Sequence, residues 1–246
     1  MTKKTFRLVQ LTDLHLLADP RARYRGKATR TSFLNALALA TRLKPDLLLL
    51  TGDLAEDEQP ATYLWLYQQL ENSQLTWQWL PGNHDQPEQM NRLKPSDFYQ
   101  QTEAWQILGL NSHLPGATQG KLAASQLKQL KRALEKNTPL LIALHHPPVK
   151  VGSEWKDALA LENAEAFWAL LKDKPQAKLV IFGHVHQAFS CYKHHSLNLA
   201  TPATSVQFTA NTDNFALSPS AAAALRLIRL KPTGYFSTRL IYFPNP

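Results

Sequence analysis

Short apolar runs recur along this chain, and most stop abruptly at a cluster of Asp, Asn, Gly or His. Residues 6–11 read as a buried strand that delivers Asp13 and His15 into the loop behind it. From Thr31 onward Phe33, Leu37 and Ala40 fall at helical spacing, and that helix is expected to end before Lys44-Pro45. Leu47 to Leu50 is continuously apolar and followed at once by Gly52-Asp53, the pattern of a central strand covered on both faces. Pro60 opens a helix with Tyr63, Leu66, Tyr67 and Leu70 along one stripe. Leu75, Trp77 and Trp79 alternate with Thr76 and Gln78, a period-two strand running into Pro81-Gly82. Further strands are expected over 105–110, 139–144 and 179–182, and helices over 125–136 and 164–171. The tail from 200 to 246 reads as β, closing in a hairpin of 224–230 and 235–242. Without a repeat or a low-complexity linker, the pattern predicts a single domain over 1–246.

One regularity carries the functional reading. Asp13-Leu14-His15, Gly52-Asp53, Gly82-Asn83-His84-Asp85, His145-His146-Pro147 and Gly183-His184-Val185-His186 each follow the carboxyl end of an apolar strand. Open α/β sheets gather their sites there, so the five clusters are expected to converge. Together they offer carboxylates, an amide oxygen and imidazoles, a donor set suited to a pair of transition-metal ions. Two such ions about 3.5–4 Å apart need a bridging ligand. Asp53 is the best candidate, because Gly52 lets the backbone turn sharply before it. Asp13 and His15 can hold one ion. Asn83 and His145 suit the other, and a twist between His184 and His186 can send one imidazole to each.

Composition narrows the partners. The chain has 246 residues, a formal charge of +8 and a single cysteine, Cys191, so no intrachain disulfide is possible. That usage fits a reducing compartment. The start, Met1-Thr2-Lys3-Lys4, is basic, but Gln10, Asp13 and His15 break the apolar run behind it, so no signal peptide is read. No apolar run is long enough to span a bilayer, and a cytoplasmic protein is expected. The positive charge suits an anionic substrate, yet only Arg21, Arg23, Arg25, Lys27 and Arg30 are dense. No nucleic-acid partner is expected. Trp155 and Phe208 could stack on a purine base or anchor a loop. His113 and the pair His194-His195 read as loop residues.

The series Asp13-x-His15, Gly52-Asp53, Gly82-Asn83-His84-Asp85, His145 and Gly183-His184-x-His186 resembles the calcineurin-like metallophosphoesterases. Within them it is similar to the bacterial class III 3′,5′-cyclic AMP phosphodiesterases, as are Thr51 to Asp57, Gly120-Lys121-Leu122 and Ala200 to Phe208. The resemblance implies an α/β sandwich of two mixed β-sheets flanked by helices. It implies Asp13, His15 and His186 on one ion, Asn83, His145 and His184 on the other, and Asp53 between them. It implies attack of a metal-bound hydroxide on the phosphorus of cyclic AMP, giving 5′-AMP. Iron or manganese are the ions implied, with zinc, cobalt and magnesium open. The pattern His-x-Pro picks His145 as ligand and leaves His146 either behind the ligands or facing the substrate. His84, oriented by Asp85, is expected as the catalytic pair, with Asn83 and His84 touching substrate. Other cyclic nucleotides, a nucleotide or lipid-precursor pyrophosphate, a nuclease substrate, and a non-catalytic scaffold on the same fold are the alternatives. A homodimer stays open.

Overall fold

The computed structural model describes residues 4–244. The basic start before Lys4, weighed above as a leader, lies outside the described residues, as does the end of the β tail at 245–246. In chain order the elements are β1 (Phe6–Leu11), α1 (Thr29–Leu43), β2 (Leu47–Thr51), α2 (Pro60–Asn72), β3 (Trp77–Leu80) and α3 (Pro87–Leu93). There follow β4 (Phe98–Gln101), β5 (Gln106–Gly109), α4 (Ala124–Ala133), β6 (Leu140–Ala143), α5 (Glu154–Asp157) and α6 (Ala164–Leu171). The last are β7 (Ala177–Phe182), β8 (Phe189–Lys193), β9 (Ser196–Ala200), β10 (Ala223–Leu230) and β11 (Phe236–Phe243).

The strands form two mixed sheets, ordered β11-β10-β1-β2-β3 and β4-β5-β6-β7-β9-β8. β1, β2 and β3 run parallel, as do β5, β6, β7 and β9. The antiparallel pairings are β1–β10 and β10–β11 in the first sheet and β4–β5 and β8–β9 in the second.

Alternation inside the apolar strands explains the layering. Leu47 and Leu49 turn one way, into a core shared with Leu141, Ile181 and Ile228, which lies between the sheets. Leu48 and Leu50 turn the other way, packing with Phe33, Tyr63 and Leu66 of α1 and α2. The second sheet repeats the arrangement, with Ile142 and Val180 packing against Leu130 of α4 and Phe167 of α6. Strands covered on both faces need apolar residues at every position, which is why β2 reads as an unbroken run.

One polar chain crosses the core near the carboxyl ends. The Gln10 amide of β1 donates to the Thr51 hydroxyl and to the Phe182 carbonyl of the opposite sheet, at 2.9 and 3.1 Å. The Thr201 hydroxyl donates back to Gln10 at 2.7 Å, and Arg226 reaches Thr201 and the Ala200 carbonyl. Every partner is buried and satisfied, so the network ties β1, β2, β7 and β10 together where the site begins.

Several elements differ from the sequence pattern. The 201–222 stretch is not a strand; among the described residues it holds only an isolated bridge, Phe208 to Leu217. Conversely β4, the β8–β9 hairpin, α3 and α5 carry no strong periodicity. β4 and β8 are edge strands, half exposed and largely polar, so no buried face marks them. Leu49→Ala should therefore lower unfolding free energy by about 2–5 kcal/mol in denaturant titration. Leu34→Ala, at a side chain 42% exposed on α1, should stay within about 0.5 kcal/mol.

Candidate metal centre

The five clusters do meet. Asp13 and His15 follow β1, Asp53 follows β2, Asn83 and His84 follow β3, His145 follows β6, and His184 and His186 follow β7. Turning chains so sharply past the strand ends takes unusual backbone. Asp13, His15, Asp53, His184 and His186 all have φ between 46° and 68°, the left-handed region that side chains ordinarily avoid. Gly52, at φ 94°, opens the second turn, and a Cβ there would lie 2.4 Å from the His145 ring. Hydrogen bonds lock these loops to one another, both between the sheets and within one. The Asp13 carboxylate accepts the His184 backbone N–H at 3.0 Å, and Asp53 Oδ1 accepts that of His84 at 3.0 Å.

The side chains fall into two neighbouring groups of donors, with a third, His15, Glu56 and His84, overlapping the first. Asp13, His15, Asp53 and His186 bring a donor atom each to within 4.8 Å of one another. His145, His146 and His184 make the second group, with Asn83 Oδ1 lying 2.9 Å from His184 Nδ1. Asp53 stands between the groups, with Oδ2 lying 3.7 Å from His15 Nε2 and 3.3 Å from His145 Nε2.

The imidazoles are held from behind. His15 Nδ1 donates to Glu56 at 2.7 Å, His145 Nδ1 to the Thr51 carbonyl at 2.8 Å and His186 Nδ1 to the Val206 carbonyl at 2.8 Å. Each bond fixes the tautomer and leaves Nε2 as the inward lone pair, the usual arrangement of metal-binding histidines. Two features show that the donors fit cations. The Nε2 atoms of His15 and His186 face one another at 3.2 Å, and the buried Nε2 atoms of His145 and His184 have no hydrogen-bond partner.

His145 and His146 are separated by their contacts. His146 Nε2 donates to the Thr118 carbonyl at 3.2 Å, and its Nδ1 accepts the Ser112 hydroxyl at 2.8 Å. Both ring nitrogens are thus engaged inside the fold, so of the two positions open to His146 these contacts match the one behind the ligands, where it ties down the 112–118 loop. Burial keeps this ring neutral, with its pKa well below the usual range, and the nearby His145 charge adds to the effect.

Asp85 departs from expectation. Its buried carboxylate does not meet His84. It accepts backbone N–H groups of Leu54, Ala55 and Gly82, at 2.8–3.1 Å, and the Tyr63 hydroxyl at 3.2 Å. Burial and then the neighbouring Asp53 push its pKa up to about 6. Asp85 therefore shapes the turn that carries Asp53. The carboxylate beside His84 is Glu56, 3.2 Å from Nδ1, so Glu56 holds His15 and His84 together. Sequence reasoning missed that role, although Glu56 stood in the quoted Thr51–Asp57 stretch.

His84 opens on a polar cleft of about 480 Å³ shared with Asn83, Gln86, His113 and Thr118. His113 is a loop residue as expected, and it also lines the cleft. A second cavity, about 390 Å³, lies between α4 and the β4–β5 edge and contains none of these groups. Lys156, which drew no attention in the sequence, is 6% exposed and packs beside the site over Phe208.

The carboxylates of the centre raise the proton affinity of the imidazoles that face them. Burial works against a charged His145, but Asp53, Asp13 and the Thr51 carbonyl together outweigh it and raise the pKa to about 9. His15 is raised as well, burial being overcome by Glu56, Asp53 and Asp13. A cation must displace those protons. Manganese affinity should therefore rise with pH up to about 9, where His145 deprotonates. Calorimetry in buffers of different ionisation enthalpy should detect net proton release. Proton uptake, or a pH-independent affinity, would contradict this charge assignment. Gly82→Ala supplies a steric test, because a Cβ would sit 2.2 Å from Asp53 Oδ1; metal content should fall sharply while far-UV circular dichroism keeps its folded shape.

Comparison with known proteins agrees with this arrangement. The family model described as calcineurin-like phosphoesterase matches residues 6–188. The chain is 36% identical to a Nostoc protein named 3′,5′-cyclic-nucleotide phosphodiesterase, over 96% of this chain and 92% of that one. It is 34% identical to the 3′,5′-cyclic adenosine monophosphate phosphodiesterase CpdA of Vibrio vulnificus, over 98% and 91%. Among solved structures it is similar in fold to a dimetal phosphatase from Danio rerio, with TM-score 0.70, 12% identity and coverage of 91% and 95%. The chain belongs to the calcineurin-like phosphoesterase family.

Proposed function

We propose that the protein is a dinuclear-metal phosphodiesterase that hydrolyses 3′,5′-cyclic AMP to 5′-AMP in the cytoplasm. The observation that carries the reading is the Asp53 carboxylate standing between two histidine groups, 3.7 and 3.3 Å from their nearest nitrogens. Asp13, His15 and His186 would hold one ion, Asn83, His145 and His184 the other, with Asp53 shared. Iron or manganese suits this nitrogen-rich set with hard oxygen donors, and zinc, cobalt or magnesium are the remaining choices. The bound pair would supply Lewis acidity at phosphorus and a water activated near neutral pH. The cyclic-nucleotide substrate is supported by the relatives' names and by the cleft, whose 480 Å³ falls within the size of a small-ligand site.

The chain's own groups then divide the work. Asn83 lines the cleft and is one of the proposed ligands, so it would meet the incoming phosphoryl group. His84 has one ring nitrogen on Glu56, which leaves the other for the leaving oxygen. In the reaction water adds to phosphorus, the bond to O3′ breaks, and O3′ gains a proton. His84 is placed to deliver that proton.

The test is a panel of cyclic AMP, cyclic GMP, 2′,3′-cyclic nucleotides and an aryl phosphodiester, run with manganese-loaded protein. Cyclic AMP should be turned over with the highest kcat/KM. Turnover of another diester with none of cyclic AMP would reject the substrate and keep the chemistry. Asp53→Ala should lose the shared ligand, so activity falls to background and metal content to below that of a single filled site. His84→Ala should keep both ions and lose roughly 10²-fold or more on cyclic AMP, whose alkoxide leaves poorly. It should lose clearly less on the aryl ester, whose phenolate needs little protonation. Equal losses on both would assign His84 to stabilising charge rather than giving a proton.

A further inference from the structure

Lys156 is the only buried lysine among the described residues. Its ammonium lies 5.1 Å from the Trp155 ring and 5.2 Å from the Phe208 ring. Phe208 in turn stacks on His186 at 4.1 Å, nearly parallel. The cation therefore sits at the wall of the metal centre, one ring away from a ligand histidine. Among the described residues it forms no ion pair. The carboxylates of its own short helix are turned elsewhere: Asp157 accepts the backbone N–H groups of Val151 and Gly152, and Glu154 is exposed.

A buried ammonium without a close partner is costly unless some charge compensates it. Here the compensation comes from a distance, from Asp53 and Asp13, while burial drags the pKa down to about 8. Cations held by Asp13 and Asp53 would cancel the charge that compensates Lys156. The loaded site would then have, against the Phe208 ring that stacks on His186, an ammonium in need of an anion. Packing alone is a poor account of the residue, since Leu or Met would cover Trp155 and Phe208 without an uncompensated charge.

We propose that Lys156 binds a phosphoryl oxygen of the substrate and sets the affinity of the loaded site for phosphate anions. The proposal rests on the reading of the site as a phosphoryl-transfer centre. Its first readout is independent of cyclic AMP: calorimetric binding of inorganic phosphate to the manganese-loaded protein. Lys156→Met keeps the stem over the aromatic rings and removes the charge. It should weaken phosphate about 10- to 100-fold, the usual effect of losing one contact between charged groups. It should raise KM by a similar factor for whichever diester the protein turns over, with a much smaller change in kcat and with wild-type metal content. Lys156→Arg, which restores a cation, should recover part of the loss.

Unchanged phosphate affinity in a Lys156→Met protein with wild-type metal content and thermal midpoint would overturn the proposal. So would loss of metal in Lys156→Met that Lys156→Arg repairs, since the charge would then act by positioning His184 and His186. Absence of cyclic AMP hydrolysis with weakened phosphate binding in Lys156→Met would sink the substrate reading and leave this one standing.

Discussion

Two carboxylates buried at the seam between the sheets decide the shape of everything around them. Asp13 and Asp53 are 0 and 2% exposed, and an unpaired carboxylate there would cost several kcal/mol. Each is therefore surrounded by donors drawn from other strands. Asp13 accepts the His184 backbone N–H from the far sheet and stands 3.3 Å from His186 Nε2, while Asp53 accepts the His84 backbone N–H and faces His15 and His145. Both stay ionised despite burial, because the imidazoles nearby outweigh the desolvation. The loops converge because those carboxylates must be met. The same contacts hold five non-glycine residues in left-handed backbone, a conformation costing roughly 1–2 kcal/mol each. Strain of that size persists only where surrounding structure over-determines it, and it concentrates at functional sites.

Behind the donors lies a second arc of contacts that keeps the imidazoles aimed. Glu56 and the carbonyls of Thr51 and Val206 each take the outer nitrogen of a histidine. Asp85 clamps the backbone of Leu54, Ala55 and Gly82, and so holds the turn that carries Asp53. The Gln10–Thr51–Thr201–Arg226 chain fixes the strand ends from which these turns start. Geometry at the centre is therefore set by backbone groups, by buried polar side chains such as Gln10 and Asp85, and by the partly exposed Glu56.

How much of this the sequence discloses depends on which force places a residue. Strands buried on both faces announce themselves, because solvent exclusion demands apolar residues throughout; β1, β2, β6 and β7 were legible for that reason. Clusters at strand ends were legible because the parallel sheets bring those ends together. β4, β8 and β9 were not, since edge position and hairpin pairing need no special composition. The partner of His84 was misread because adjacency in sequence suggested Asp85. A tight turn at Gly82 sends successive side chains in different directions, so Asp85 points into the fold while Glu56, far away in sequence, comes alongside. Lys156 gave no signal at all. A single lysine in a polar stretch looks like surface until Trp155 and Phe208 fold over it.

The basic segment and the aromatics, ambiguous in sequence, prove to be parts of one wall. Arg30 is held by the Leu17 and Ala18 carbonyls and lies over Trp65 at 4.3 Å, so it anchors its loop. That loop presents Tyr24, stacked on His15 at 4.5 Å and nearly parallel to it. On the other side Phe208 stacks on His186 in the same manner. Arg25 spans the gap, over both Tyr24 and Phe215, and Phe215 closes against Phe208 and Trp155. Two histidines of one donor group are thus gripped on a ring face as well as at Nδ1. Stacking opposes tilt of the ring, whereas the hydrogen bond at Nδ1 opposes rotation about the side chain; together they leave Nε2 little freedom. A rigid donor set favours the ion whose preferred geometry it matches, because ligand type alone follows the general affinity order and discriminates poorly. The aromatic wall therefore narrows the angles at which His15 and His186 can present Nε2.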